Sequence, residues 1–67
     1  MNKILLRYHM AMKGDTNKEL AALLGLTEQS VSSKMNENGT EFKQGEIAKI
    51  KERYNLSPEE VTAIFFA

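Results

Sequence analysis

Gly25 divides one stretch of twenty residues, Asn17 to Asn36, into two short helical segments, and each segment carries its own start signal. Punctuation this dense rules out one long helix. It forces the two segments to fold against each other. Upstream, Thr16 followed three residues later by Glu19 makes a capping box that satisfies orphan amides at a helix start. Leu20, Leu23 and Leu24 then supply an apolar face, and Gly25 stands where a helix ends in the left-handed conformation glycine tolerates best. Thr27 caps the next segment. Within it Val31 and Met35, four apart, turn to the core, while Glu28, Gln29, Ser32 and Ser33 face outward.

Two positions add geometry to this pattern. Ala21, four residues before Gly25, is small enough for a second helix to cross closely, and Val31, six after it, is that helix's inward anchor. The spacing fits a helix-turn-helix. On Ala21, Gly25 and Val31, with Leu20, Leu24 and Leu26 at matching apolar positions, the chain resembles the lambda-repressor-like family of phage and bacterial regulators, the Cro/repressor type. A preceding helix, the Asn38-Gly39 turn, Phe42 and an amphipathic helix from about Gln44 follow the same plan over most of the chain.

The resemblance implies an all-α fold: a compact five-helix lambda-repressor-like domain with its helix-turn-helix at helices two and three. It also implies a sequence-specific transcriptional regulator of double-stranded DNA, acting as a homodimer on a two-fold symmetric operator. The recognition helix, Thr27 to Asn36, is then expected to enter the major groove by its N-terminal end. Gln29 suits a bidentate contact to adenine, Glu28 can accept from the cytosine amino group, and Ser33 lies one turn further along. Thr27, Ser32, Lys34 and Lys43 are expected to hold phosphates and set the register, together with Asn17. Asn17 stands where relatives usually carry glutamine or another long polar residue, and Lys34 where many carry an apolar one. Lys34 is expected to snorkel over the core with its charge toward phosphate. A protein-binding relative of the same fold is the alternative, because the carboxylate of Glu28 costs affinity near phosphates unless a cytosine compensates it.

Composition bounds these readings. Sixty-seven residues make one domain, and a chain of this size buries only about 60% of its unfolded surface. One proline, four glycines and 42% hydrophobic residues indicate an ordered helical domain. No segment approaches the roughly 20 apolar residues of a membrane span. The opening MNKILLRYHMAMKG pairs a basic residue with apolar ones as a leader peptide does, but Arg7, Tyr8 and His9 interrupt it. An amphipathic first helix is expected instead. The absence of cysteine excludes disulfides and thiolate metal sites and suits a reducing cytoplasm. The formal net charge is zero, yet residues 1–34 carry five basic against three acidic side chains and residues 35–67 four against six. The basic half coincides with the proposed DNA face, and local potential matters more than the sum.

Helix one is expected from Asn2 to about Met12, with Ile4, Leu5, Leu6, Tyr8 and Met12 inward and Gly14 ending it. Helix four, from Gln44 to Tyr54, turns Ile47, Ile50 and Tyr54 inward and stops at Asn55. Ser57, Pro58 and Glu60 start helix five, which carries Val61, Ile64, Phe65 and Phe66 and ends at Ala67. Adjacent phenylalanines point about 100° apart on a helix. Either both pack the domain end through fraying, or one joins a symmetric dimer contact.

No catalytic, metal or cofactor constellation emerges. His9 is the single histidine and has no cysteine beside it. Ser30, Ser32 and Ser33 lack a base, and suit hydrogen bonding along a DNA backbone. Glu59 and Glu60 are explained by the helix N-terminus. Neither an enzyme nor a small-molecule ligand is expected.

Overall fold

The computed structural model describes residues 1–66, and within them the chain forms five helices and no strand. They are α1 (Lys3–Lys13), α2 (Asn17–Leu24), α3 (Glu28–Met35), α4 (Gln44–Tyr54) and α5 (Pro58–Phe65). The expected end of helix five at Ala67 lies outside the described residues. Starts and stops follow local chemistry. Asn2 caps α1 through Oδ1, which accepts the Leu5 amide at 3.1 Å. Ser57 Oγ accepts the Glu60 amide at 3.1 Å while the Glu60 carboxylate accepts the Ser57 amide at 2.8 Å, the full reciprocal box. At α2 the Glu19 carboxylate takes both the Thr16 amide, at 3.4 Å, and its hydroxyl, at 2.6 Å.

Four helices end in the same way, α3 with the Asn38 amide on the Ser33 carbonyl at 2.9 Å after left-handed Glu37. The amides of Asp15, Leu26 and Leu56 reach back to the carbonyls of Met10, Ala21 and Lys51 at 2.8, 2.9 and 2.9 Å, the six-to-one bond of a left-handed helix stop. Gly25 holds the required φ of 69°, and Asn55 reaches it at 51°. Leu26 and Leu56, just past these stops, return to the core and tie each turn to the packing.

Every helix contributes to one core. Leu6, Leu20, Val31, Met35, Ile50 and Ile64 are its fully buried side chains, with Phe42 from the segment between α3 and α4 beneath them. α2 and α3 are the most closely associated helices, and the buried Ala21 leaves room for the approach. α1 packs on α4 and α5.

Two expectations about faces are corrected. In α1 the inward residues are Leu6 and Met10, with Leu5 half-buried, whereas Ile4, Tyr8 and Met12 lie on the outer surface. The inner face of α1 is set by its neighbours: α4 and α5 pack on the side of Leu6 and Met10, and His9 Nε2 lies 3.5 Å from Glu60 Oε2 of α5. In α2 the core face is Leu20, Ala21 and Leu24, and Leu23 stands exposed because α3 crosses on the alanine side.

Candidate nucleic-acid interface

α3 divides its side chains by chemistry. Val31, Lys34 and Met35, three and four residues apart, share the buried face. Thr27, Glu28 and Gln29 stand exposed at the N-terminal end, and Ser30, Ser32 and Ser33 are half-buried along the sides. Thr27 Oγ1 accepts the Ser30 amide at 3.1 Å and so fixes where the helix begins. The backbone amides of a helix's first turn point away along its axis without helical acceptors, and they carry the positive end of its dipole.

Beside this end lies an open polar depression of about 320 Å³ lined by Thr27, Gln29, Ser30, Ser33, Lys34, Asn38 and Thr40. The structure thus brings together four residues expected at the interface, Thr27, Gln29, Ser33 and Lys34. Glu28, Ser32, Asn17 and Lys43 stand outside this lining. Asn17 is the first residue of α2 and half-buried, while Lys43 is exposed immediately before α4. Asn38 and Thr40 are contributions that sequence reasoning missed. They come from the turn after α3, where Glu37 and Gly39 take positive φ values of 53° and 74° and bring the chain back toward the helix. The Asn38-Gly39 pair signals a turn, but which face the turn returns to depends on Glu37, which carries no such signal.

Lys34 corrects an expectation. Rather than turning its charge outward, it is buried, and its ammonium donates to Glu46 Oε1 at 3.0 Å and to the Glu41 carbonyl at 3.3 Å. The same Glu46 oxygen accepts the Lys43 amide at 2.9 Å. Burial pushes the Glu46 carboxyl upward, but the Lys43 amide, then the Lys34 hydrogen bond and charge, outweigh it and hold the group below its ordinary value of 4.5. The pair pins α3 to the start of α4. The inward turn has a plain cause: Lys34 shares the α3 face of Val31 and Met35, and Glu46 stands opposite as an acceptor.

The two dimer candidates are placed differently, Phe65 half-buried and Phe66 exposed. Phe65 packs against the core with its ring edge-on to Phe42, centroids 5.9 Å apart, so only Phe66 is left exposed.

A second anchor lies between α1 and α4. The buried carboxylate of Asp15 receives Arg53 Nε at 2.9 Å, an Arg53 terminal nitrogen at 2.8 Å and the Tyr54 hydroxyl at 2.8 Å. The Arg53 hydrogen bond holds the Asp15 carboxyl below its ordinary 3.8 against the opposing effect of burial, helped by Tyr54. Burial, then the bond to Asp15, drives the Tyr54 hydroxyl well above its own ordinary value.

Among the described residues, no group of three or more His, Asp or Glu side chains gathers where a metal ion could bind, and no helix is long and apolar enough to cross a membrane. No family model, curated protein or solved structure matches the chain.

Proposed function

We propose that this chain is a sequence-specific DNA-binding regulator of the Cro/repressor kind, in which α2 and α3 act as a helix-turn-helix and α3 enters the major groove by its N-terminal end. The observation that carries the reading is the one-sided division of α3, with a capped, polar, exposed tip at Thr27, Glu28 and Gln29 over a fully buried inner face. In this reading Gln29 pairs with adenine, Glu28 accepts from cytosine, and Ser33 meets the next base pair. Thr27, Ser32, Lys43 and Asn17 hold phosphates. Lys34 has a different part: bound to Glu46, it sets the angle at which α3 is presented. One recognition helix reaches too few base pairs to select a genomic site, so the protein acts in the cytoplasm as a homodimer on a two-fold symmetric operator.

The test is selection from a random duplex pool at low salt. Enrichment of a two-fold symmetric motif is the expected result. The second reading, a protein-binding module of the same fold, is favoured by one observation: the burial of Lys34 removes a cation from the α3 surface while Glu28 stays exposed at its tip. Failure of any sequence to enrich selects it.

A further inference from the structure

The turn after α3 holds the chain's single Asn-Gly pair, Asn38-Gly39. An asparagine followed by glycine is the arrangement most open to attack of the next backbone nitrogen on the side-chain amide, because glycine has no side chain to crowd the ring that forms. The fold leaves that route clear. Both residues are exposed, Gly39 holds a φ of 74°, and no atom beyond its chain neighbours lies within 4 Å of where a Cβ would stand. Its amide is tied only to the Glu37 carbonyl two residues back, at 2.9 Å, the bent bond of a three-residue turn. Among the described residues no hydrogen bond holds the Asn38 side chain, whereas Asn2 Oδ1 accepts the Leu5 amide at 3.1 Å and Asn36 Oδ1 accepts from Lys3 at 2.8 Å. Asn36 and Asn55 are followed by Glu37 and Leu56, whose amides are held by helix carbonyls at 3.3 and 2.9 Å.

We infer that Asn38 is a site of spontaneous deamidation, a modification that takes water as its only co-reactant and turns the α3 face away from an anionic partner. The Gly39 nitrogen gives up its proton and bonds to Asn38 Cγ, the Cγ–Nδ2 bond breaks, and ammonia leaves with that proton. Water then opens the succinimide. Cleavage of the new Cγ–N bond leaves aspartate in the original chain, whereas cleavage at the main-chain carbonyl leaves isoaspartate, whose backbone runs through Cγ and is longer by a methylene. Either product sets a carboxylate in the depression that Asn38 shares with Thr27, Gln29, Ser33 and Lys34. No cation in that lining is free to offset it, because the Lys34 ammonium is bound to Glu46. Exposed Glu41, three residues on, already carries like charge. A phosphate backbone docking on α3 therefore meets added repulsion beside Gln29. This consequence for DNA rests on the proposed function; the modification itself does not.

The test is ageing of the folded protein at neutral pH, with digestion and mass spectrometry locating each converted asparagine. Conversion registers as the exchange of an amide NH2 for OH, and chromatography separates the isoaspartate peptide from the aspartate one. Asn38 is expected to convert first, ahead of Asn2, Asn17, Asn36 and Asn55, and Asn38→Gln to stay unconverted at that position. Conversion of another asparagine ahead of Asn38, or of Asn38 only when urea unfolds the chain, overturns the inference. Binding to the enriched duplex reads the consequence. Converted wild type and fresh Asn38→Asp should each bind about tenfold more weakly than fresh wild type, while Asn38→Gln should bind alike before and after ageing. A melt checks that Asn38→Asp folds, and undiminished binding by this variant and by converted wild type overturns the consequence. If fresh wild type enriches no duplex, the DNA reading fails, and the order of conversion still decides the modification.

Discussion

α1 and α3 lie on the same core and invert each other. α3 buries a lysine with two apolar neighbours and shows water a polar face, whereas α1 buries Leu6 and Met10 and shows water the apolar side chains Ile4, Tyr8 and Met12. The difference teaches that burial here is set by what stands opposite. Lys34 goes inward because Glu46 and the Glu41 carbonyl satisfy its ammonium. Ile4, Tyr8 and Met12 stay outward because α4 and α5 already cover the other side of α1. Each helix consequently offers a partner a surface of different chemistry, polar and hydrogen-bonding on α3, apolar on α1.

The largest expected effect tests the orientation of α1. Leu6→Ala should cost about 3 kcal/mol, the usual loss for a buried leucine, whereas Ile4→Ala should change stability by less than about 0.5 kcal/mol. Urea melts of the two variants measure this, and equal losses would mean that α1 is turned as its sequence alone suggests.

Next comes the inward lysine of α3. Glu46→Ala leaves the Lys34 ammonium buried with only a carbonyl and should cost about 2 to 3 kcal/mol. Adding Lys34→Met to it removes the stranded charge and should restore part of the loss. A double variant no more stable than Glu46→Ala alone would show that the pair is not what holds α3 to α4.

Much of this architecture was legible because its signals are local. Caps at Thr27 and Ser57, stops at Gly14, Gly25 and Asn55, and the three-and-four spacing of Val31 and Met35 each act within a few residues, and the five helices follow them. What was not legible depends on distant partners. Ile4, Leu5, Tyr8 and Met12 make the more continuous apolar side of α1, yet the chain buries Leu6 and Met10 instead, so periodicity pointed to the face that stays outside. The fate of Lys34 rests on Glu46, twelve residues away. Thr40 enters the depression beside Gln29 only through the left-handed turn at Glu37.

A smaller effect concerns the anchor at the end of α1. Because the folded-state Asp15 carboxyl sits below its ordinary 3.8, its stabilisation is complete above that value and is lost as the pH falls through the lower folded-state one. Asp15→Asn should therefore flatten the acid limb of the stability profile below about pH 4. An unchanged acid limb in thermal melts would mean that the Arg53 and Tyr54 contacts do not persist in solution.

The central claim is that the exposed tip of α3 reads bases while residues around it hold the backbone. The direct measurement is binding of Gln29→Ala, Lys43→Ala and Lys34→Met to the enriched duplex and to a scrambled one, at two salt concentrations. Gln29→Ala should lose about 1 to 3 kcal/mol on the enriched duplex alone. Lys43→Ala should weaken both duplexes alike and lower the salt slope by about one ion per protomer. Lys34→Met should leave that slope unchanged, since its charge is already paired inside the protein. Equal losses for Gln29→Ala on both duplexes, or none on either, would contradict the account.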